Sequence, residues 1–421
     1  MPVIADLAEL KQGWRILLLS VMGIAISINA VLLYGFGTLV VSFEKDFAWE
    51  RSAIQIAITF LYGGAVIGLQ LVGWLNLRFG LKTVTLVSLL TMAIGYLACV
   101  WFIGGSIWTL YIAFGLLPII GMGALAVTWT QLINLWFFKN RGLALAIGLS
   151  GTGMTAAIAP NVMAWGVEQW GWQAPFVMLF LVNILMIPIT LLWFNLPDKQ
   201  NVSNSSSNTN KSNQSSVATS EIMPGMSFYE GCVSRKFWIC NIAMSLVVAS
   251  VVGMVTNAVP LLMDRGFSIS EATMVFSAFG FSLITGRLFV GYLLDHIWPP
   301  GVAAVSLIMP ALGCFIFLQG EASLGMLSVA IALIGLGAGA EFDIAAFLIA
   351  RYFGLREYGR LFGMHQSLIT ISSALAPLLF AAMIAASGSY TTMLIFCSIS
   401  TLIGSLILLF LGPLPQFTRQ A

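Results

Sequence analysis

Charge is what this sequence has least of. Only 8% of its 421 residues are Asp, Glu, Lys or Arg, against roughly 25% in an ordinary soluble domain. A water-facing surface cannot be assembled from so few charges, so most of the surface must meet lipid. The net charge of +2 is close to neutral and makes no case for a nucleic-acid partner. Cysteine is equally uninformative as a framework. Cys99, Cys232, Cys240, Cys314 and Cys397 are odd in number, scattered and mostly set in apolar runs, which excludes a disulfide scaffold and a metal cluster. With two histidines and no HExxH or CxxC, little is left to hold a metal, and no cofactor is expected. No GxxxxGK[ST] occurs, so nothing suggests that the chain hydrolyses ATP. No nucleophile–base pair stands out, and the sequence does not read as an enzyme. Residues Met1 to Gly13 carry Asp6, Glu9 and Lys11 and lack the basic region, short apolar core and cleavage site of a signal peptide.

What is abundant is hydrophobic, 59% of the chain. It gathers into runs of about 20 residues, the length a helix needs to cross the hydrocarbon core. Reading between charged or turn-rich breaks predicts spans at 14–41, 52–75, 83–103, 107–137, 142–165 and 172–195, then at 237–263, 270–294, 301–319, 323–350, 360–386 and 390–413. These are helices because an open strand cannot satisfy its backbone in lipid. Glycine groups such as Gly148–Gly151–Gly153 and Gly335–Gly337–Gly339 let helix backbones approach closely. One stretch breaks the pattern. Residues 199–219, KQNVSNSSSNTNKSNQSSVAT, are almost all Asn, Ser, Thr and Gln and cannot bury a core. The expectation is an all-α polytopic membrane protein of 12 transmembrane helices in two six-helix pseudo-symmetric halves. Residues 1–198 form the N-terminal half, 199–235 a disordered cytoplasmic linker, and 236–421 the C-terminal half.

Lysine and arginine set the orientation. With both termini cytoplasmic, Lys11, Arg15, Arg78, Lys82, Lys139, Arg141, Lys199, Lys211, Arg235, Lys236, Arg351, Arg356, Arg360 and Arg419 lie inside. Only Lys45, Arg51 and Arg265 lie outside. The expected location is the cell membrane, the inner one in a Gram-negative bacterium.

The halves echo one another. LINLWFFKNRGLALAIG (132–148) aligns with FLIARYFGLREYGRLFG (347–363), pairing Phe138 with Phe353, Arg141 with Arg356 and Gly148 with Gly363. IAP (158–160) echoes LAP (375–377), and GWLNLRFGLK (73–82) faces GYLLDHIWPP (291–300). Two parallel six-helix repeats are the hallmark of one transporter architecture. GWLNLRFGLK resembles the loop signature of the major facilitator superfamily, in which a Gly, an Asp and basic residues link the second and third spans. Gly73, Arg78, Gly80 and Lys82 fit that signature, while Leu77 stands at the usual Asp position. The second copy keeps Gly291 and Asp295 but not the basic end. The resemblance narrows to the monocarboxylate-porter-like and oxalate–formate-antiporter-like branch. It does so through Phe47–Ala48–Trp49–Glu50–Arg51–Ser52, Arg141–Gly142–Leu143–Ala144, Gly286–Arg287, Gly339–Ala340–Glu341–Phe342–Asp343 and Arg351–Tyr352–Phe353–Gly354. It covers the chain apart from the linker. It implies proton-linked or exchange transport of small mono- or dicarboxylates by alternating access, gating roles for the two loop copies, and the eighth-span arginine as anion ligand.

The residues themselves give a parallel reading. Ionisable groups within a span are costly and usually functional. Arg287, Glu341 and Asp343 qualify. Counted from the cytoplasmic ends at ~1.5 Å per residue, all three lie roughly 12–15 Å deep, near the middle of a ~30 Å core. The N-terminal repeat has no charged counterpart. Arg287 would pair a substrate carboxylate through its planar fork. Glu341 or Asp343 would balance it in the empty state and take up a proton when displaced, since burial favours the neutral carboxyl. Residues 341 and 343 stand about 200° apart on a helix, so one of them faces the cavity. The plainer alternative is a permanent pair tying the eighth span to the tenth. His365 reads as a proton relay or as a packing histidine. Asn29 and Tyr34 in the first span, and Thr128 and Gln131 in the fourth, read as ligands or as interhelical hydrogen bonds. Arg78 and Lys82 are equally explained as positive-inside anchors.

The expected partners are a small carboxylate, a proton and the lipid bilayer; a monomer is expected. Two rivals remain. One is efflux of cationic or amphipathic compounds by proton antiport, since two carboxylates face one arginine. The other is a transporter-like membrane sensor, which would usually add a long soluble tail. The absence of pore loops and charge rings argues against a channel.

Overall fold

A computed structural model describes residues 7–137, 140–195, 225–320, 322–354 and 356–415. Its elements are α1 (Leu7–Ala25), α2 (Ile28–Phe47), α3 (Arg51–Gln55), α4 (Ala57–Phe79), α5 (Leu81–Phe102), α6 (Ile107–Ile120), α7 (Ala126–Trp136), α8 (Arg141–Trp170) and α9 (Ala174–Trp193). They continue with α10 (Phe228–Val233), α11 (Arg235–Asp264), α12 (Ile269–His296), α13 (Pro299–Leu318), α14 (Leu324–Phe353), α15 (Tyr358–Ser387) and α16 (Thr391–Ile407). No strand occurs among the described residues, only isolated bridges.

Ten helices are individually long and apolar enough to cross a membrane. Two further crossings are interrupted. The first span is α1 and α2, bent by 42° at Ile26–Ser27. The freed Ala25 carbonyl accepts from the Thr155 hydroxyl of α8, so the break is satisfied inside the protein, as a lipid-exposed one could not be. The fourth span is α6 and α7, separated by a 3₁₀ turn at Met122–Ala124. Pro118 lies inside α6 and removes a donor near its end. Gly123 then lets the backbone approach α5: its N–H donates to Ser88 Oγ at 3.0 Å, and a Cβ there would sit 2.7 Å from the Val84 carbonyl oxygen. Sequence reading had drawn both spans as continuous.

Residues 199–224 of the expected linker, with Lys199 and Lys211, lie outside the described residues, as do Phe138, Lys139 and Arg419 and the side chains of Leu77, Arg141 and Asp295. The linker expectation fails over 225–235. There the Met226 N–H donates to the Phe353 carbonyl at 2.8 Å, and α10 starts with a capping box formed by Ser227 and Glu230. The two side chains satisfy each other's orphan backbone donors. Those donors also hold the exposed Glu230 carboxyl below the usual carboxylate range. The polar tract upstream had masked this short local signal.

One buried cluster draws on α1 to α9 and the other almost wholly on α11 to α16. Helices of the two groups meet as α2 with α11, α8 with α12, and α3 and α4 with α15. At the end opposite the start of α1, these meetings are reinforced by polar contacts. Arg51 donates to Glu44 Oε2 at 2.6 and 2.9 Å, to the Tyr390 hydroxyl at 2.7 Å, and to the Asp264 carboxylate. Gln55 Nε2 donates to Asn257 Oδ1 at 3.1 Å, and Thr59 donates to the Ala374 carbonyl at 2.7 Å. At the other end, Lys82 donates to the Leu191 carbonyl and Tyr352 to the Gly412 carbonyl, each within one group.

Candidate functional site

The site begins with how closely α12 and α14 pack. A Cβ on Gly286 would sit 2.3 Å from the Leu336 carbonyl oxygen, and one on Gly339 would sit 2.1 Å from that of Leu283. Only glycine permits such an approach, and it carries the residues next in sequence, Arg287 on α12 and Glu341 and Asp343 on α14, to one level. Arg287 Nε lies 3.6 Å from Asp343 Oδ2. That is an ion pair, but too long for a hydrogen bond. Arg287 is only 8% exposed, yet Nε and Nη1 donate to no group among the described residues.

Arg287 lines a cavity of about 280 Å³ bounded by α2, α4, α8, α11, α12, α14 and α15. The cavity therefore lies between the two groups of helices. Its walls are largely apolar. On α11 the face at Val248, Val251, Val252 and Val255 forms a continuous valine stripe, and Phe279 of α12 meets Tyr34 at a tilt, with ring centroids 5.7 Å apart. Its polar groups are few: Arg287, Glu341, Tyr34, Tyr62, Thr152 and a strip on α15 at Gln366, Thr370 and Ser373. Such a chamber, apolar with a few convergent polar groups, has the character of a small-molecule site. Another hollow of about 290 Å³, where α8 and α9 meet the α1–α2 break, is lined by no charged residue.

Glu341 and Asp343 part company here. Glu341 lines the cavity, and its Oε2 is sequestered with no hydrogen bond among the described residues. Asp343 does not line it and faces Arg287. Tyr34 joins Arg287 and Glu341 in the cavity. The remaining candidates stand elsewhere. His365 is fully buried, its Nδ1 2.8 Å from Asn241 Oδ1 and its ring against Phe237 and Phe362. Asn29 and Gln131 do not line the cavity; Gln131 is exposed and Asn29 Oδ1 is buried without a partner among the described residues. Thr128 is buried, its hydroxyl unpaired among the described residues. Of the loop residues, Arg78 is exposed and stacks its guanidinium on Trp74 and Phe79. Lys82 ties to the end of α9. Gly80 has φ +83°, which suits the tight α4–α5 junction, while Gly73 and Gly291 face open space. Sequence reading passed over Tyr62, Gln366, Thr370 and Ser373. The spacing of 366, 370 and 373 places them on one helical face, and that polar stripe was the available signal.

Ten apolar helices and two interrupted spans among the described residues, packed in two groups with a charged chamber between them, have the architecture of a polytopic membrane transporter. The Major Facilitator Superfamily model matches residues 22–342 and again 242–421, and the chain belongs to that superfamily. It is thus a multi-pass secondary transporter and not an enzyme. It is similar to monocarboxylate transporter 13 of Bos taurus, 21% identical over 96% of this chain and 90% of the relative. It is also similar to a gallate transporter of Pseudomonas putida, 23% identical over 87% and 88%, and to a 4-hydroxybenzoate transporter of Acinetobacter baylyi, 22% identical over 86% and 85%. A D-xylose-proton symporter shares the fold with a TM-score of 0.70 at 12% identity, over 95% of this chain and 98% of that one. So does a bacterial Spinster homologue in an inward-facing, unoccupied conformation, with a TM-score of 0.66 at 15% identity over 94% of each chain.

Proposed function

We propose that the chain moves a small organic anion with a single carboxylate across the cell membrane by alternating access, with Arg287 as the anion ligand. One observation carries this: a buried guanidinium on a cavity wall with two nitrogens unmet. A buried charge with unsatisfied donors is expensive, and a carboxylate accepting from Nε and an Nη would satisfy it in bidentate geometry. Arg287 is the one cationic side chain among those lining the cavity, which favours a monocarboxylate over a dicarboxylate. The relatives named for monocarboxylates, gallate and 4-hydroxybenzoate are in keeping with this. Asp343 is the internal counter-ion that substrate displaces. Released from Arg287, it is the group that takes up a proton, which couples the two movements; exchange of one anion for another uses the same displacement. The bias of Lys and Arg puts both termini in the cytoplasm. The end sealed by Arg51 is then outermost, and the chamber faces inward.

The cavity carboxylate Glu341 favours one rival, export of a cationic compound. Uptake of labelled small carboxylates into proteoliposomes, with and without an inward proton gradient, compared with Arg287→Ala, separates the two. Saturable uptake lost in the variant supports the anion reading, and stimulation by the gradient supports proton coupling. No uptake of any carboxylate by folded, oriented protein sinks it.

A further inference from the structure

The cavity has an acceptor pole that the Arg287 reading leaves unused. Glu341 Oε2 and Gln366 Oε1 both belong to residues lining it, both are shut off from solvent, and neither accepts a hydrogen bond among the described residues. Asp343, not Glu341, makes the ion pair with Arg287, so Glu341 is not held in place as the arginine's counter-ion. The Tyr34 and Tyr62 hydroxyls share the chamber, while the valine stripe and Phe279 offer nothing polar. One apolar space thus holds unmet donors on α12 and unmet acceptors on α14 and α15. Its complement is a molecule with an anionic group at one place and a donor at another.

We propose, resting on the carboxylate reading above, that the natural substrate is a monocarboxylate bearing a hydroxyl or ammonium group, and that Glu341 accepts from it. An unsubstituted acid would satisfy Arg287 but leave the acceptors buried and unpaired, and a site built to bond a donor discriminates strongly against an analogue that lacks it. The preference expected is roughly ten- to hundredfold, the range for a hydrogen bond to a charged group.

The test uses purified full-length protein in nanodiscs and calorimetric binding of four probes on one skeleton. These are phenylacetate, mandelate with an α-hydroxyl, phenylglycine with an α-ammonium, and 4-hydroxyphenylacetate with a distal hydroxyl. At least one donor-bearing acid should bind roughly ten- to hundredfold more tightly than phenylacetate. Which one wins identifies the donor. The ratio should fall toward unity in Glu341→Leu. In Glu341→Gln, which keeps shape and an acceptor oxygen, the advantage of an ammonium should fall further than that of a hydroxyl. Phenylacetate binding as well as all three, or a preference undiminished in both variants, overturns the proposal while leaving Arg287 as anion ligand. Binding of none of the four overturns both readings.

Discussion

Arg287 and its neighbours show how a single charge acts in a medium that tolerates few. Its partner Asp343 is close enough to stabilise it and too far to saturate it. An internal anion of this kind competes with substrate. Asp343→Asn is expected to tighten carboxylate binding several-fold while removing the stimulation of uptake by an inward proton gradient, both read in the same proteoliposome assay. His365 provides the contrast. Its ring is buried and bonded to Asn241, so His365→Leu is expected to leave gradient stimulation intact. It should destabilise the fold by about 1–3 kcal/mol, the penalty for stranding a buried partner, seen as a lower melting temperature in detergent. The charged residues of the cavity were legible in the sequence because charge within a span is rare and expensive. Of its neutral residues Tyr34 was singled out, but Tyr62 and Gln366 look like any interhelical hydrogen-bonding residue until the helices are placed. For the same reason Asn29, Gln131 and His365 attracted notice for a cavity they do not line.

The crossing of α12 and α14 is the element on which the site depends. Because Gly286 and Gly339 put each backbone against a carbonyl of the other helix, a side chain at either position must push the helices apart. Gly339→Val is expected to cost about 1–3 kcal/mol from overpacking, and to impair anion binding beyond what the stability loss explains, since Arg287 and Asp343 would separate. Thermal unfolding and substrate binding on the same preparation test this. At this scale length and hydropathy made the spans readable, because bilayer thickness dictates them. The interruptions were harder. Pro118, Gly121 and Gly123 announce the break in the fourth span, but the first bends at Ile26–Ser27 without proline or glycine, and only its contact with Thr155 explains it. The helix α10 escaped notice because six residues give too little periodicity to outweigh the polar tract before them.

For the whole molecule, Arg51 is the joint between halves. It binds Glu44 of its own half and Asp264 and Tyr390 of the other. Alternating access requires these contacts to break. Arg51→Ala is expected to shift the population toward the state open at that end. Cysteines introduced at Val259 and Gly37, near one another in α11 and α2, should then react faster with a membrane-impermeant maleimide added from outside. Unchanged labelling would mean that apolar packing alone keeps that end shut. Sequence reading had Arg51 only as an outside basic residue and part of a resemblance; its bridging role needed residues 51, 264 and 390 in one place.

The valine stripe of α11 has a further consequence for anyone wishing to retune this protein. Valine in a helix holds one rotamer almost without exception, so that wall neither swells nor yields. Val248, Val251, Val252 and Val255 stand one turn or less apart along the chamber. Together they work as a gauge block, in which exchanging one valine for alanine, or for isoleucine, alters the admissible girth of the cargo by about one methyl width at a chosen height.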